Sequence, residues 1–331
     1  MTPPPPDDGG GPAATKRISW SQNGEDVRLW RVFDAFSHGH YVEVGAYEPD
    51  IDSISRSFYE RGWDGLVVEP VAEIAERYAQ ERPRDTVVAV AAGSEHTESA
   101  FHVIQGTGLS TQSAHQAQEH LRRGLPHQER VIPVRPLADL VRESRLDPIH
   151  FMVIDVEGSE EAVLKGAALD RIRPWVVIVE ATKPMESEAT WQEWESIVLE
   201  SGYLLAADDG LNRFYVAEER AELAEPLVTP PNPTDNFVQF GHKQTLDELQ
   251  GLRHEVEALR DDLRMATDQL AGREETDTEL QELRDSCERL RAESGALSEQ
   301  LAVAHDALAG MSRSRSWRWT APLRALRGHR S

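Results

Sequence analysis

Five carboxylates in this chain stand where short apolar runs stop. Glu43 lies at the end of His40-Tyr41-Val42-Glu43-Val44, Glu69 closes Leu66-Val67-Val68, and Glu180 closes Val177-Ile178-Val179. Asp155 follows Met152-Val153-Ile154, with Glu157 just behind it. Runs rich in β-branched residues read as buried parallel strands, and open α/β sheets bind ligands at the carboxyl ends of such strands. Glu69 holds the position from which an acid accepts hydrogen bonds from ribose hydroxyls. Gly45 lets the backbone turn tightly and approach a ligand, with Ala46 beside it. A dinucleotide needs several glycines that bare a helix N-terminus to its pyrophosphate. Gly45-Ala46-Tyr47-Glu48-Pro49-Asp50 offers one glycine, and Glu48 and Asp50 repel phosphate. A phosphate-free adenosine cofactor with a positive centre fits better, which favours S-adenosylmethionine and leaves a dinucleotide as the alternative.

The elements that must position these acids alternate as an α/β fold requires. Strands are predicted near 40–44, 65–69, 86–91, 150–155 and 175–180, with helices near 53–61, 71–82, 136–145, 159–166 and 187–201. Segments 99–104 and 130–134 add a strand pair, and the flexible loop Gly106-Thr107-Gly108-Leu109-Ser110-Thr111 lies between them, before a helix that runs to Arg123. Residues 203–207 and 213–217 close the sheet as a second pair. The start, 18–36, reads as the beginning of a helix with a polar lead at Ser21–Asp26. The fold class is α/β: a Rossmann-like, doubly wound, mostly parallel seven-stranded sheet, followed by a C-terminal coiled-coil helix.

Several of these segments resemble the FkbM-type methyltransferase family. They are Trp20-Ser21-Gln22-Asn23-Gly24-Glu25-Asp26, Tyr41-Val42-Glu43-Val44-Gly45-Ala46, and Phe58-Tyr59-Glu60-Arg61-Gly62-Trp63-Asp64-Gly65 leading to Val68-Glu69-Pro70. Ile154-Asp155-Val156-Glu157-Gly158-Ser159-Glu160 with Val163-Leu164-Lys165-Gly166, Val177–Ala181 and Asp209–Val216 continue the resemblance in order. The resemblance implies an S-adenosylmethionine-dependent O-methyltransferase. It places Gln22, Glu25, Glu43, Gly45, Ala46, Glu69 and Asp155 at the cofactor. A sugar hydroxyl, of a cell-surface glycan or glycolipid, is the expected acceptor. Methyl transfer to such an oxygen calls for alignment and for a base or metal; Asp155, Glu157 and Glu180 are the catalytic candidates, and a magnesium ion on Asp155 and Glu180 is a further expectation. Each acid has a structural alternative: Glu43 as a helix cap, Glu157 as an acid at a helix N-terminus, and Glu180 in a salt bridge. The rival function is a coiled-coil scaffold of a polysaccharide-assembly complex with a vestigial catalytic fold.

The chain has 331 residues and one cysteine, Cys287, so no intramolecular disulfide forms and a reducing, cytoplasmic setting is expected. A net charge of −23 argues against nucleic acid as a partner. No apolar run reaches the roughly 18 residues that span a bilayer, and the Pro- and Gly-rich start lacks the order of a signal peptide. The expected divisions are a disordered lead at 1–17, a methyltransferase domain at 18–240, a coiled coil at 241–310 and a basic tail at 311–331. In the third, Leu252, Val256, Leu259, Leu263, Ala266 and Leu270, then Leu280, Leu283, Cys287, Leu290, Leu297, Leu301, Ala304 and Leu308, step at heptad spacing. The expectation is a rod of about 90 Å, at about 1.5 Å per residue, that homodimerises to cover its stripe. Arg313 to Arg330 with Trp317 and Trp319 suit the inner face of an anionic membrane, or a partner in glycan assembly.

Overall fold

The computed structural model describes residues 16–186, 188–271 and 277–312. The expected lead, up to residue 15, and the basic tail, from residue 313, lie outside the described residues. Twelve strands are described: β1 Arg17–Ser19, β2 His40–Val44, β3 Asp64–Val68, β4 Thr86–Val88, β5 Ala91–Gly93, β6 Thr97–Val103, β7 Gln128–Pro136, β8 Ile149–Ile154, β9 Val176–Glu180, β10 Tyr203–Asp208, β11 Asn212–Ala217 and β12 Phe237–Gln239. They fall into two compact units, one covering residues 19–231 and the other combining residues before 19 with those from 232 onward.

The first unit is built on a seven-stranded sheet in the order β10-β11-β9-β8-β2-β3-β4. The pairs β9/β8, β8/β2, β2/β3 and β3/β4 are parallel, and β10/β11 and β11/β9 are antiparallel. The sheet is therefore mixed, with its antiparallel strands at one edge. Strand periodicity divides its side chains between two faces. Val42, Val44, Leu66, Val68, Met152, Ile154, Val177 and Val179 enter one core, packed under the helices Leu137–Ser144 and Glu160–Ala167. On the opposite face Tyr41 stacks on Phe151 at 5.5 Å between ring centroids, and Phe58 lies 4.8 Å from Phe151. Glu43 shares the face of Tyr41, and this parity decides its partners.

Three segments depart from the sequence reading. The run expected as one strand at 86–91 is split: Val90 N bonds back to Val88 O at 3.1 Å, and β5 leaves to join β7 and β6 in a separate sheet. A continuous apolar run carries no mark of such a change of sheet. The start expected as helix at 18–36 is strand β1, a turn through Gly24 at φ 79°, and a helix only from Glu25 to Phe33. The helix expected at 187–201 is shorter, a 3-10 turn at Trp191–Glu193 followed by Glu195–Glu200.

In the second unit β1 pairs with β12. Two helices follow, Phe240–Ala271 and Asp277–Ser312, the residues between lying outside the described ones. The stripe falls where the spacing put it: Val256, Cys287 and Leu297 are buried and its other positions are half-buried. It does not form a single rod, because the helices fold back on each other. Arg253 Nη2 lies 3.0 Å from His305 Nε2, 52 positions on. Pairing within one chain thus covers part of the stripe. No helix among the described residues is long and apolar enough to cross a membrane.

Candidate active site

The carboxyl ends of β2, β3 and β8 border a cleft of about 530 Å³, counted with the open solvent at its mouth. Gly45, Tyr47, Glu69, Asp155 and Glu157 line it from the sheet, and Ala91, Ala92 and Phe101 line it from the smaller sheet. Thr107, Gly108 and Ser110 line it from the loop after β6. That loop is fastened across the site by Thr111 Oγ1, which donates to the carbonyl of Glu157 at 2.8 Å. Sequence reasoning left it as a flexible connection; its Gly-Thr-Gly-Leu-Ser-Thr composition was the only signal of a closer role.

Glu69 is buried, 4 % exposed, just beyond β3. Its two oxygens accept one backbone N–H each, from Val71 at 2.8 Å and Tyr47 at 3.1 Å. Burial pushes its carboxyl up to about 7, against the pull of these two bonds. A carboxylate has room for about four hydrogen bonds, so Glu69 retains acceptor capacity beside the cleft. Gly45 also lines the cleft, but its conformation is dictated by the sheet. At φ 78°, a Cβ there would sit 1.7 Å from the carbonyl oxygen of Asp155, because the tips of β2 and β8 close on each other. Ala46 points into the core with Val67 and Tyr78, and its carbonyl accepts from Tyr78 at 2.8 Å.

Glu43 is not part of the cleft lining. Its carboxylate accepts from Ile54 N at 3.1 Å, Ser53 Oγ at 3.3 Å and Ser55 Oγ, and Arg82 Nη1 stands 3.9 Å away. Arg82 is fully buried and donates to Ser53 at 3.1 Å, Ser55 at 2.6 Å, Tyr41 at 2.8 Å and Asp85 at 2.8 Å. The sequence reading missed this network, since Arg82 in Glu81-Arg82-Pro83-Arg84-Asp85 looks like part of a surface turn. Gln22 is exposed and also outside the lining. Glu25, likewise outside it, is buried, accepts from Asn212 Nδ2 at 2.7 Å and Asn23 N at 2.9 Å, and is pushed up to about 8 by burial and then by Asp209. The acidity of the turn after β2 is tempered too, since Glu48 pairs with Arg77.

Asp155, Glu157 and Glu180 come together at the tips of β8 and β9, each offering an oxygen within 4.8 Å of the others. Asp155 and Glu180 act on each other directly, Glu180 drawing the Asp155 carboxyl down and Asp155 pushing the Glu180 carboxyl up. Burial is the main cause that raises all three, Asp155 to about 6 and the other two well above the carboxylate range, and their mutual repulsion adds to it for Glu157 and Glu180. Glu160 lies behind them and accepts from the backbone of Val156 and Gly158. Asn212 pairs with Glu180 across β11 and β9. Arg213 is taken up by Glu195 and Asp208 and lies 3.6 Å over the ring of Trp191. The arrangement thus has a cleft bordered by Glu69, an acceptor for hydroxyls, and by Asp155 and Glu157, with Glu180 gathered against the last two.

Residues 43–205 match the model of the methyltransferase FkbM domain. Among solved structures the chain is similar to a TehB-like SAM-dependent methyltransferase from Corynebacterium glutamicum, at 12% identity over 59% of this chain and 85% of that one, with a TM-score of 0.31. It is also similar to M. capricolum TrmK in complex with S-adenosyl-homocysteine, at 7% identity over 82% of this chain and 97% of that one, with a TM-score of 0.31. At such TM-scores neither likeness carries weight for the fold or the chemistry. No curated protein matches the chain.

Proposed function

Since the chain belongs to the FkbM methyltransferase family through residues 43–205, we propose that it methylates a sugar hydroxyl of a cell-surface glycan or glycolipid. The observation that carries this reading is the pairing, at the carboxyl ends of the strands, of a cleft edged by the buried Glu69 with the acids Asp155, Glu157 and Glu180. The cofactor is S-adenosylmethionine. It supplies a methyl group on a sulfonium sulfur, which departs as a neutral thioether when an oxygen lone pair takes the methyl. The residues fit it: Glu69 accepts ribose hydroxyls, and the acids suit a cofactor that bears positive charge.

A sugar hydroxyl holds its proton far above neutral pH, so that proton must be removed as the new carbon–oxygen bond forms. Asp155 is the base. Its carboxyl, held near 6, is ionised at neutral pH and still basic enough to take the proton. The loop anchored by Thr111 to Glu157 borders the reacting groups. The hydroxyl-rich character of a sugar suits a cleft where Asp155 and Glu157 offer acceptor oxygens.

Calorimetric titration of the full chain with S-adenosylmethionine tests the reading. The expected result is saturable micromolar binding that falls at least tenfold in Glu69→Ala. A well-folded wild-type protein that takes up no cofactor would instead favour the scaffold.

A further inference from the structure

We propose that Asp155, Glu157 and Glu180 form a binding site for one hard divalent cation of the magnesium or manganese type. One oxygen from each carboxylate already lies within 4.8 Å of the other two. Oxygens bound to a single such ion, at about 2.1–2.4 Å, stand at most about 4–5 Å apart, so the three need little rearrangement to share one.

The second observation is what these acids lack. Glu180 is 7 % exposed, yet its Oε2 has no hydrogen-bond partner, and Glu157 Oε2 is buried without one as well. Buried carboxylate oxygens are normally satisfied, because removing them from water without a donor costs a large part of their hydration. The charges that weigh most on the three are also carboxylates: each other, Glu43, Asp52 and Glu160. No lysine, arginine or histidine stands among them. Elsewhere in the same unit the fold supplies such a partner, as Arg82 does for Glu43. A set of three oxygen acids without nitrogen or sulfur donors selects a hard cation. One divalent ion would bring the charge of three ionised carboxylates from −3 to −1 and satisfy the orphaned oxygens.

Asp155 and Glu157 also border the cleft, whereas Glu180 stands behind them. An ion held by the three would face the acceptor end, with the rest of its octahedral shell open to water or to sugar hydroxyls. Its effect would be to lower the proton affinity of a coordinated hydroxyl. That role rests on the methyltransferase reading, but binding of the ion does not.

The test is a manganese titration of the chelator-stripped full chain, followed by electron paramagnetic resonance, with S-adenosylmethionine calorimetry on the same samples. The expected result is one saturable Mn²⁺ per chain, displaced by Mg²⁺ and weakened at least tenfold in both Glu180→Gln and Asp155→Asn. Far-ultraviolet circular dichroism checks that each variant is folded, and Glu157→Gln replaces any variant that is not. The inference is overturned if no saturable site appears, or if the folded variants bind Mn²⁺ as the wild type does. Cofactor binding without Mn²⁺ binding would remove the metal site and leave the enzyme. Mn²⁺ binding without cofactor binding would do the reverse.

Discussion

Glu43 and Glu180 are the same residue at equivalent places, each at the tip of a buried strand of one sheet and each almost wholly out of water, 4 % and 7 % exposed. Their surroundings are opposite. Glu43 is enclosed by the hydroxyls of Ser53 and Ser55, the amide of Ile54 and the guanidinium of Arg82. Glu180 faces two more acids, and one of its oxygens meets no donor at all. A carboxylate whose lone pairs are filled by the fold is a strut, whereas one left facing other acids is held for something that arrives from outside. The difference follows from geometry: Glu43 is on the face of Tyr41, toward Arg82, and Glu180 lies against Asp155 and Glu157.

The largest expected effect that would sharpen this contrast is on catalysis. Asp155→Asn should lower the methylation rate about 10²–10⁴-fold, the usual worth of a general base, while the melting temperature stays level or rises. A rate that survives the change would shift the base to another group. Glu43→Ala should act the other way, costing about 3 kcal/mol in urea unfolding because it leaves Arg82 buried with one partner fewer. If Glu43→Ala kept wild-type stability but lost cofactor affinity, the strut reading would fail and the sequence expectation of a cofactor ligand would return.

The smallest effect is a slope of stability with pH. Burial holds Glu69 and Glu160 near 7 and Asp155 near 6, against ordinary values of 4.5, 4.5 and 3.8. Between the ordinary and the folded values the folded chain binds more protons than the unfolded chain. Stability therefore falls as pH rises from about 4 to about 7. Urea midpoints measured across that range check the sign. A rise toward neutrality would mean that the acids meet cations in solution.

The order of strands and helices was readable because each core strand is a bounded apolar run, and 40–44, 149–154 and 176–180 fall almost where the runs predict. The split of 86–93 between two sheets was not, since β4 and β5 are equally apolar and only their partners differ. Among the site residues, Glu69, Asp155, Glu157 and Gly45 gather at the cleft and Glu180 beside Asp155. Gln22, Glu25, Glu43 and Ala46 lie elsewhere, because Asn212, Arg82 and Tyr78 engage the last three from distant parts of the chain.

By itself the sequence determined which residues end the strands and which positions of the helical region are apolar, because both follow from local periodicity. Only the tertiary structure decided which acid is satisfied and which is left open. That depends on donors brought together across the fold, such as Arg82, 39 positions from Glu43. The helical stripe obeys the same rule. Its spacing fixed which side chains seek cover, and the packing of Phe240–Ala271 on Asp277–Ser312 decided that the same chain supplies part of it.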